Sequence, residues 1–152
     1  MSDLEQPRLT TFEFPGSIEA AWAIRRAVFI DEQGVTEREE VDGLDPECVH
    51  VLAELEGRSV GAARLRDDGH GTAKAERVAV LRDARGRGVG RALMRELERI
   101  ARARGCRDVL LGAQVSAVPF YLALGYVIEG DEFLDARIPH RWMRRGLEAN
   151  TE

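Results

Sequence analysis

Residues 85 to 94 read RGRGVGRALM, which places three glycines at alternate positions, sets arginines between them and then starts a helix. Glycines this closely spaced leave the backbone amides uncovered and let a ligand approach the main chain. The unpaired amides of a helix N-terminus and the helix dipole together attract anions. Because nine arginines and only three acids lie between residues 82 and 107, we predict that this segment holds the phosphates of a cofactor.

Two widespread phosphate motifs are absent from the sequence. A dinucleotide fingerprint needs a third glycine three residues after Gly88 and an acidic residue about 20 positions further on. Arg91 and the run Arg104-Gly105-Cys106-Arg107 stand at those places. Gly-Lys-Ser/Thr does not occur either, which excludes a P-loop. The segment therefore indicates a phosphate site of another kind, with a plain turn as the simpler alternative.

The bulk composition is that of an ordinary globular chain. With 152 residues, 44% hydrophobic and 32% charged, we predict one domain over residues 1–152. A net charge of −5, and the lack of aromatic residues among the arginines of 82–107, argue against nucleic-acid binding. No apolar stretch is long enough to cross a bilayer, and Cys48 and Cys106 fit neither a metal site nor a disulfide framework. We predict a cytoplasmic protein with no metal and no membrane contact.

Hydrophobic periodicity and turn residues predict an alternation of strands and helices. The first half of the chain is predicted to form a strand over 8–14, a helix over 18–30 and an acidic loop over 31–47 with a short helix capped by Thr36 and Glu39. A hairpin of 48–55 and 59–66 and a strand over 73–81 follow, and then a helix that stops at Gly105. The remainder is predicted to form a strand over 107–115, a short helix over 116–126 with Ser116 as N-cap, and one or two closing strands around 138–143. This order predicts an α/β (α+β) fold, a mixed twisted sheet of six to seven strands with helices on both faces.

The segment RGRGVG matches the Arg/Gln-x-x-Gly-x-Gly/Ala signature of the GNAT superfamily of N-acetyltransferases. The surrounding VAVLRDARGRGVGRALM and QVSAVPFYLALGY resemble the corresponding segments in order and separation, so the resemblance is specific over 78–126. More loosely, VFIDEQGV, EEVDGLD and IPHRWMRR resemble a small bacterial branch of the superfamily over nearly the whole chain. The resemblance implies acetyl-coenzyme A as the acyl donor, and a sheet whose fourth and fifth strands splay apart to admit its pantetheine arm.

The same resemblance assigns the cofactor-binding residues. Amides of residues 87 to 91 would hold the pyrophosphate, main-chain groups of Val78 and Val80 would pair with the pantetheine, and an amide near Ala79 would stabilise the thioester oxygen. Gln114 stands where the family often has Asn. The predicted cofactor set is Val78, Ala79, Val80, Arg85, Gly86, Arg87, Gly88, Val89, Gly90, Arg91, Gln114 and Ser116.

Two residues resemble the family's catalytic groups. Tyr121 occupies the place of the tyrosine that protonates the departing thiolate, and Glu76 that of a glutamate which takes the proton of the amine. His50 and His140 are the other candidates for proton transfer, because histidine titrates in the useful range. Each residue has a structural alternative: a packed aromatic for Tyr121, a solvent-facing strand position for Glu76, and a satisfied structural histidine for the other two.

The acceptor predicted from this resemblance is a primary amine of a small molecule or a protein. The segment 31–47 contains eight acids against one arginine, and in this fold it would lie near the acceptor cleft and favour a cation. We therefore count Glu32, His50 and His140 as candidate substrate-binding residues, with a solvated acidic loop as the alternative. A coenzyme-A-binding sensor that has lost transfer is the second class of function. The resemblance also implies a homodimer, since exposed closing strands often pair two copies in this superfamily.

Overall fold

The computed structural model describes residues 6–148, which form a seven-stranded mixed sheet in the order β1-β2-β3-β4-β5-β7-β6. Every neighbouring pair of strands is antiparallel except β4 and β5, which are parallel. The strands are β1 Arg8–Glu13, β2 Val49–Leu55, β3 Arg58–Asp67, β4 Thr72–Val80, β5 Asp108–Gln114, β6 Val127–Asp135 and β7 Ile138–Gly146. The predicted α/β class is confirmed, and the closing region forms two strands.

Helices cover both faces of this sheet, as predicted. The α-helices are α1 Ile18–Arg25, α2 Glu37–Glu40, α3 Val89–Ala103 and α4 Val118–Ala123. Leu93 and Leu97 of α3 pack in a core with β2, β3 and β5, on the side that we call the α3 face. Ile18, Ala21 and Ile24 of α1 pack on the opposite side, the α1 face. None of the helices within residues 6–148 has the length and apolar character to span a membrane.

Both hairpins have two-residue turns. Glu56 and Gly57 alone connect β2 to β3, with φ of 54° and 74°, and Ala136 and Arg137 connect β6 to β7, with φ of 50° and 67°. Two-residue turns with positive φ at both positions match the right-handed twist of the paired strands. The first turn was predicted to hold three residues, but Arg58 already belongs to β3.

The strands β4 and β5 pair only at their first residues, Thr72 to Lys74 with Asp108 to Leu110, and then diverge. The register between β3 and β4 shifts between Ala62 and Arg64, where Arg77 adopts φ of 56°. An extra residue of this kind bends a strand and increases its twist. The bend carries the second half of β4 away from β5, so the predicted splay is confirmed and the β5-facing edge of β4 is left unpaired.

Three local predictions need adjustment. The first helix runs beyond residue 30, because α1 continues as a π-helix over Arg26–Glu32. Ser116 is not an N-cap: β5 passes into a 3₁₀ turn over Val115–Ala117 that places Ser116 within the turn, and Ala117 caps α4. The capping box of Thr36 and Glu39 at the start of α2 is confirmed.

Candidate active site

A cavity of about 790 Å³ opens where β4 and β5 diverge, and it is lined from both faces of the sheet. On the α3 face its walls include the first turn of α3 and Tyr121 of α4. Val109, Leu111 and Ala113 belong to the α3-face core, so strand alternation places Leu110, Gly112 and Gln114 on the α1 face. Those three residues also line the cavity. It therefore connects the two faces through the gap in the sheet.

The α3-face end of the cavity is a loop with free amides. Gly86 and Gly88 have φ of 79° and 83°, and Gly88 is the N-cap of α3. Within residues 6–148 the amides of Gly86, Arg87 and Gly88 donate no hydrogen bond. A side-chain carbon at Gly90 would lie 3.1 Å from Cζ of Phe120, so this glycine keeps the loop and α4 close. Amides left free around a helix N-terminus are a chemically suitable site for a diphosphate.

Two arginines of this loop are used for other contacts. Arg85 forms two hydrogen bonds of 2.7 Å to the Glu32 carboxylate, and its Nε donates to the Val80 carbonyl at 3.0 Å. These bonds lower the pKa of Glu32. The structure does not bring Glu32 to the cavity, because Arg85 holds it against the loop. The Arg87 side chain lies outside the cavity lining and pairs with Glu56 at 3.6 Å.

Tyr121 has a buried ring and a hydroxyl that makes no hydrogen bond to any described residue. Its ring makes edge contacts with Phe120 and Tyr126, at centroid distances of 4.9 and 5.8 Å. Arg141 Nε is the one fully buried side-chain N or O atom of residues 6–148 that lacks a hydrogen-bond partner. The Tyr121 hydroxyl lacks a partner as well, so it is not fully buried. It is therefore open to the cavity that Tyr121 lines. Burial raises the pKa of this phenol.

Glu76 lines the cavity from β4, where two arginines hold it. Arg64 Nη2 and Arg66 Nη2 lie 2.9 and 2.8 Å from its two carboxylate oxygens. Burial opposes ionisation of Glu76, but the hydrogen bond from Arg66 and the charge of Arg64 outweigh it and lower the pKa. A carboxylate with a lowered pKa is a weaker proton acceptor.

The two candidate histidines have different surroundings. His50 stacks on Phe12 at 5.2 Å, its Nε2 donates to the Asp45 carbonyl at 2.9 Å, and it does not line the cavity. Burial lowers the pKa of His50. His140 lines the cavity, and its Nδ1 donates to the Ile138 carbonyl at 2.7 Å. In the neutral ring this bond leaves the lone pair on Nε2.

Gln114 and Ser116 line the cavity where β5 ends. Other residues of the predicted cofactor set that line it are Val78, Ala79 and Val80 of β4 and Val89 and Arg91 of α3. The Gln114 amide donates to Gln33 Oε1 at 2.8 Å and so joins β5 to the loop after the π-helix. Arg137 of the β6–β7 turn reaches Glu39 at 2.8 Å. These two contacts enclose the α1-face end of the cavity.

The acidic segment 31–47 is paired with arginines instead of being free for a cation. Six of its acids form ion pairs: Glu32, Glu37, Glu39, Glu40, Asp42 and Asp45. Arg25 and Arg64 are only 1% exposed and bridge several of these carboxylates. The expectation that the segment attracts a cationic acceptor is therefore not supported, since six of its eight carboxylates are already paired with arginines. An arginine inside the apolar run of β3 was the sequence signal for such a network.

Sequence reasoning named His140 but missed two aromatic residues beside it on the α1 face. Phe133 and Trp142 line the cavity from the β6–β7 hairpin together with His140. They come together only because the hairpin forms, with Phe133 opposite His140 in the register. The described part of the chain contains no cluster of three or more His, Cys, Asp or Glu side chains that could hold a metal ion.

Comparison with known proteins agrees with this geometry. Residues 14–126 match the acetyltransferase (GNAT) family. The chain is 38% identical to the uncharacterized protein YyaT of Bacillus subtilis, covering 94% of this chain and 96% of that protein. It is 43% identical to the uncharacterized N-acetyltransferase YjcF of the same organism, covering 82% and 89%. An acyl-CoA N-acyltransferase from Pseudomonas aeruginosa superimposes with a TM-score of 0.80 at 32% identity, covering 92% and 99%.

The split sheet, the glycine loop and these similarities define an acyl-transfer enzyme of the N-acyltransferase class. This chain belongs to the GNAT acetyltransferase family.

Proposed function

We propose that this chain transfers an acetyl group from acetyl-coenzyme A to a primary amine of a small molecule or a protein, by direct attack within a ternary complex. The observation that carries the proposal is the cavity through the sheet. It joins free amides at the N-terminus of α3 to the Tyr121 hydroxyl on one face and to His140 on the other. A donor and an acceptor can therefore approach the same gap from opposite sides.

The residues present fit the acyl donor. Acetyl-coenzyme A supplies, when bound, an acetyl group activated as a thioester. The amides of residues 86 to 91 would hold its pyrophosphate, and Arg91, which forms no ion pair within 6–148, adds a positive charge. Val78 lies on the unpaired edge of β4 and can offer main-chain groups to the pantetheine, with Ala79 beside it for the thioester oxygen. The Val80 carbonyl already accepts a bond from Arg85.

Tyr121 would protonate the departing thiolate. The raised pKa keeps its hydroxyl protonated at neutral pH, which is the state that a general acid needs. The hydroxyl also makes no bond to a described residue that the reaction would have to break. Tyr121 is thus the candidate general acid.

For the proton of the amine, we favour His140 over Glu76. The Nε2 lone pair of His140 is not engaged by a described residue, whereas the Glu76 carboxylate is held by Arg64 and Arg66. His50 would have a structural role and no role in proton transfer, since it does not line the cavity. Glu32 can affect the site through Arg85.

The test measures two quantities on the full chain. Calorimetry gives the affinity for acetyl-coenzyme A, and a thiol assay gives the release of coenzyme A with a panel of primary amines. We expect binding together with amine-stimulated release. Binding without release for any amine would contradict transfer and support the sensor alternative, while no binding would contradict both.

Two further assignments remain proposals. The homodimer would use β6, the edge strand, which exposes Val127 and Leu134. Sedimentation equilibrium of the wild type and of Leu134→Lys tests it, because a lysine at a paired edge favours the monomer. A cytoplasmic location rests on the unpaired Cys48 and Cys106, and fractionation of cells tests it.

A further inference from the structure

The α1-face end of the cavity has a wall of three stacked rings. Phe133 lies between His140 and Trp142, at centroid distances of 5.5 and 4.9 Å and interplanar angles of 29° and 22°. Below them is Gly112 of β5, where a side-chain carbon would lie 3.2 Å from Cζ of Phe133 and 3.6 Å from Trp142. The missing side chain lets the rings lie on the strand, while Trp142 remains 37% exposed.

Apolar side chains also line this cavity. They include Phe29, Val35, Leu110 and Ile138. A flat apolar surface of this kind favours a ring or a hydrocarbon body over a strongly hydrated one.

The carboxylates that line the cavity are almost all occupied. Glu39, Glu40 and Glu76 each contact an arginine at 2.8 or 2.9 Å. Asp135 lines the cavity at the end of β6 and forms no ion pair with a described residue. Lys74 lines it from β4, also without an ion pair in the described chain, and brings a positive charge. Asp135 is thus the one lining carboxylate of residues 6–148 without an ion pair and can accept one ammonium group, while the charges of Lys74 and Arg91 oppose a second.

We propose that the acceptor is a primary amine on an aromatic body with no second cationic group, of the arylethylamine class, its ring packed against Phe133 and Trp142. This inference rests on the proposed acetyl transfer. The amine nitrogen forms a bond to the thioester carbon as the carbon–sulfur bond breaks. The ammonium group first loses a proton to solvent, because only the neutral amine attacks. The second proton of the nitrogen goes to His140 Nε2, the thiolate takes a proton from Tyr121, and exchange with solvent returns both side chains to their starting states. The products are an N-acetylated arylethylamine and free coenzyme A.

The experiment compares three amines that differ in one feature at a time, with acetyl-coenzyme A as donor. The comparison of phenethylamine with hexylamine tests the ring, and the comparison of hexylamine with hexamethylenediamine tests the second cation. We expect kcat/KM to be about fivefold to tenfold lower for hexylamine than for phenethylamine. We expect it to be about tenfold lower again for hexamethylenediamine. A higher kcat/KM for the diamine, or for a peptide with a free lysine, would overturn the proposal while leaving acetyl transfer intact.

Variants locate the preference on the wall. Phe133→Leu and Trp142→Leu should each raise KM for phenethylamine about fivefold and leave that for hexylamine within about twofold. Val41→Ala is the control, since Val41 is an apolar residue, is 51% exposed and does not line the cavity. If both wall variants keep the wild-type preference for the ring, the wall is not the acceptor site.

A binding measurement separates this proposal from the proposed function. Calorimetry with phenethylamine in the presence of coenzyme A needs no turnover. Binding that weakens about fivefold in Trp142→Leu, together with no transfer to any amine, would support the site and contradict the transfer. Absence of both binding and turnover with phenethylamine would contradict the aromatic acceptor.

Discussion

At the scale of the residue, the two tyrosines of the chain offer a matched pair. Tyr121 has a hydroxyl without a protein partner, whereas the Tyr126 hydroxyl donates to Glu98 at 2.8 Å in the core. We predict that Tyr121→Phe lowers kcat by about 10²-fold to 10⁴-fold without changing the free energy of unfolding. Tyr126→Phe should do the opposite and cost about 1–3 kcal/mol of stability, with kcat retained. Denaturant melts and steady-state rates check both, and unchanged kcat in Tyr121→Phe contradicts the acid role.

Single substitutions can also identify the residue that accepts the proton of the amine. We predict that His140→Gln lowers kcat by about 10²-fold or more, because the acceptor for the proton of the amine is gone. Glu76→Gln should lower kcat less than about tenfold, since Arg64 and Arg66 already hold the Glu76 carboxylate. The reverse order of the two losses in steady-state rates would assign the proton transfer to Glu76.

At the scale of the element, the junction between the glycine loop and α3 can be tested through charge alone. Gly88 has φ of 83°, and no described atom other than those of its neighbours lies within 4 Å of a side-chain carbon built there. Asn and Asp are the residues that best tolerate this backbone region. We predict that Gly88→Asp weakens acetyl-coenzyme A binding at least about tenfold relative to Gly88→Asn, because only Asp repels the diphosphate.

Calorimetric Kd values measure this difference directly. Gly43→Asp is a control for backbone strain, since Gly43 has φ of 79°, is equally open, and does not line the cavity. Equal affinities of the Asp and Asn variants at residue 88 would mean that the phosphates bind elsewhere.

The contact between β3 and the segment 42–45 predicts how stability depends on pH. Arg64 contacts Asp42, Asp45 and Glu76 and is 1% exposed. We predict that Arg64→Met costs about 3–5 kcal/mol at pH 7, because it leaves carboxylates without their partner. Arg66→Met, a control that removes a more exposed contact to Glu76, should cost about 1 kcal/mol or less. Urea denaturation measures both, and a cost for Arg64→Met no larger than the control would contradict the prediction.

The ion pairs of Arg64 also determine whether acid raises or lowers the stability of the fold. Burial opposes ionisation of Asp42, but hydrogen bonds from Arg64 and the Leu44 amide lower its pKa to about 2. A carboxylate with a lowered pKa in the folded state stabilises the protein above its unfolded pKa. This stability is lost as the pH falls from about 4 towards 2. Stability curves over this range should fall in the wild type and be flatter in Arg64→Met.

At the scale of the whole molecule, the cavity divides the sheet into β1–β4 and β5–β7, which are joined by pairing of only three residues on each strand. A donor that occupies the gap should therefore act as a bridge between the two halves. At about 100 times its Kd a ligand adds about 2.7 kcal/mol of stability. We predict a rise in Tm of about 5–10 °C with acetyl-coenzyme A, and a smaller rise in Gly88→Asp at the same concentration. An unchanged Tm in the wild type would contradict donor binding.

The sequence determined the features that depend on neighbouring residues. The glycine loop before α3, the capping box at Thr36 and Glu39 and the alternation of the strands follow from backbone preferences over a few positions. These local signals, with the family resemblance, were enough for the α/β class, the divided sheet and the place of the glycine loop.

Only the tertiary structure decided which charges and rings meet. Glu32 and Arg85 are 53 residues apart in the chain, and Glu39 and Arg137 are 98 apart. No local preference specifies such pairs, since they form only when the sheet is assembled. The acidic segment could therefore be read from the sequence as an attractant for cations, while folding pairs most of its acids with arginines from α1, β3, β4 and the β6–β7 turn. The same assembly puts His140 at the cavity and His50 in the core, because register and face, not composition, set what a side chain touches.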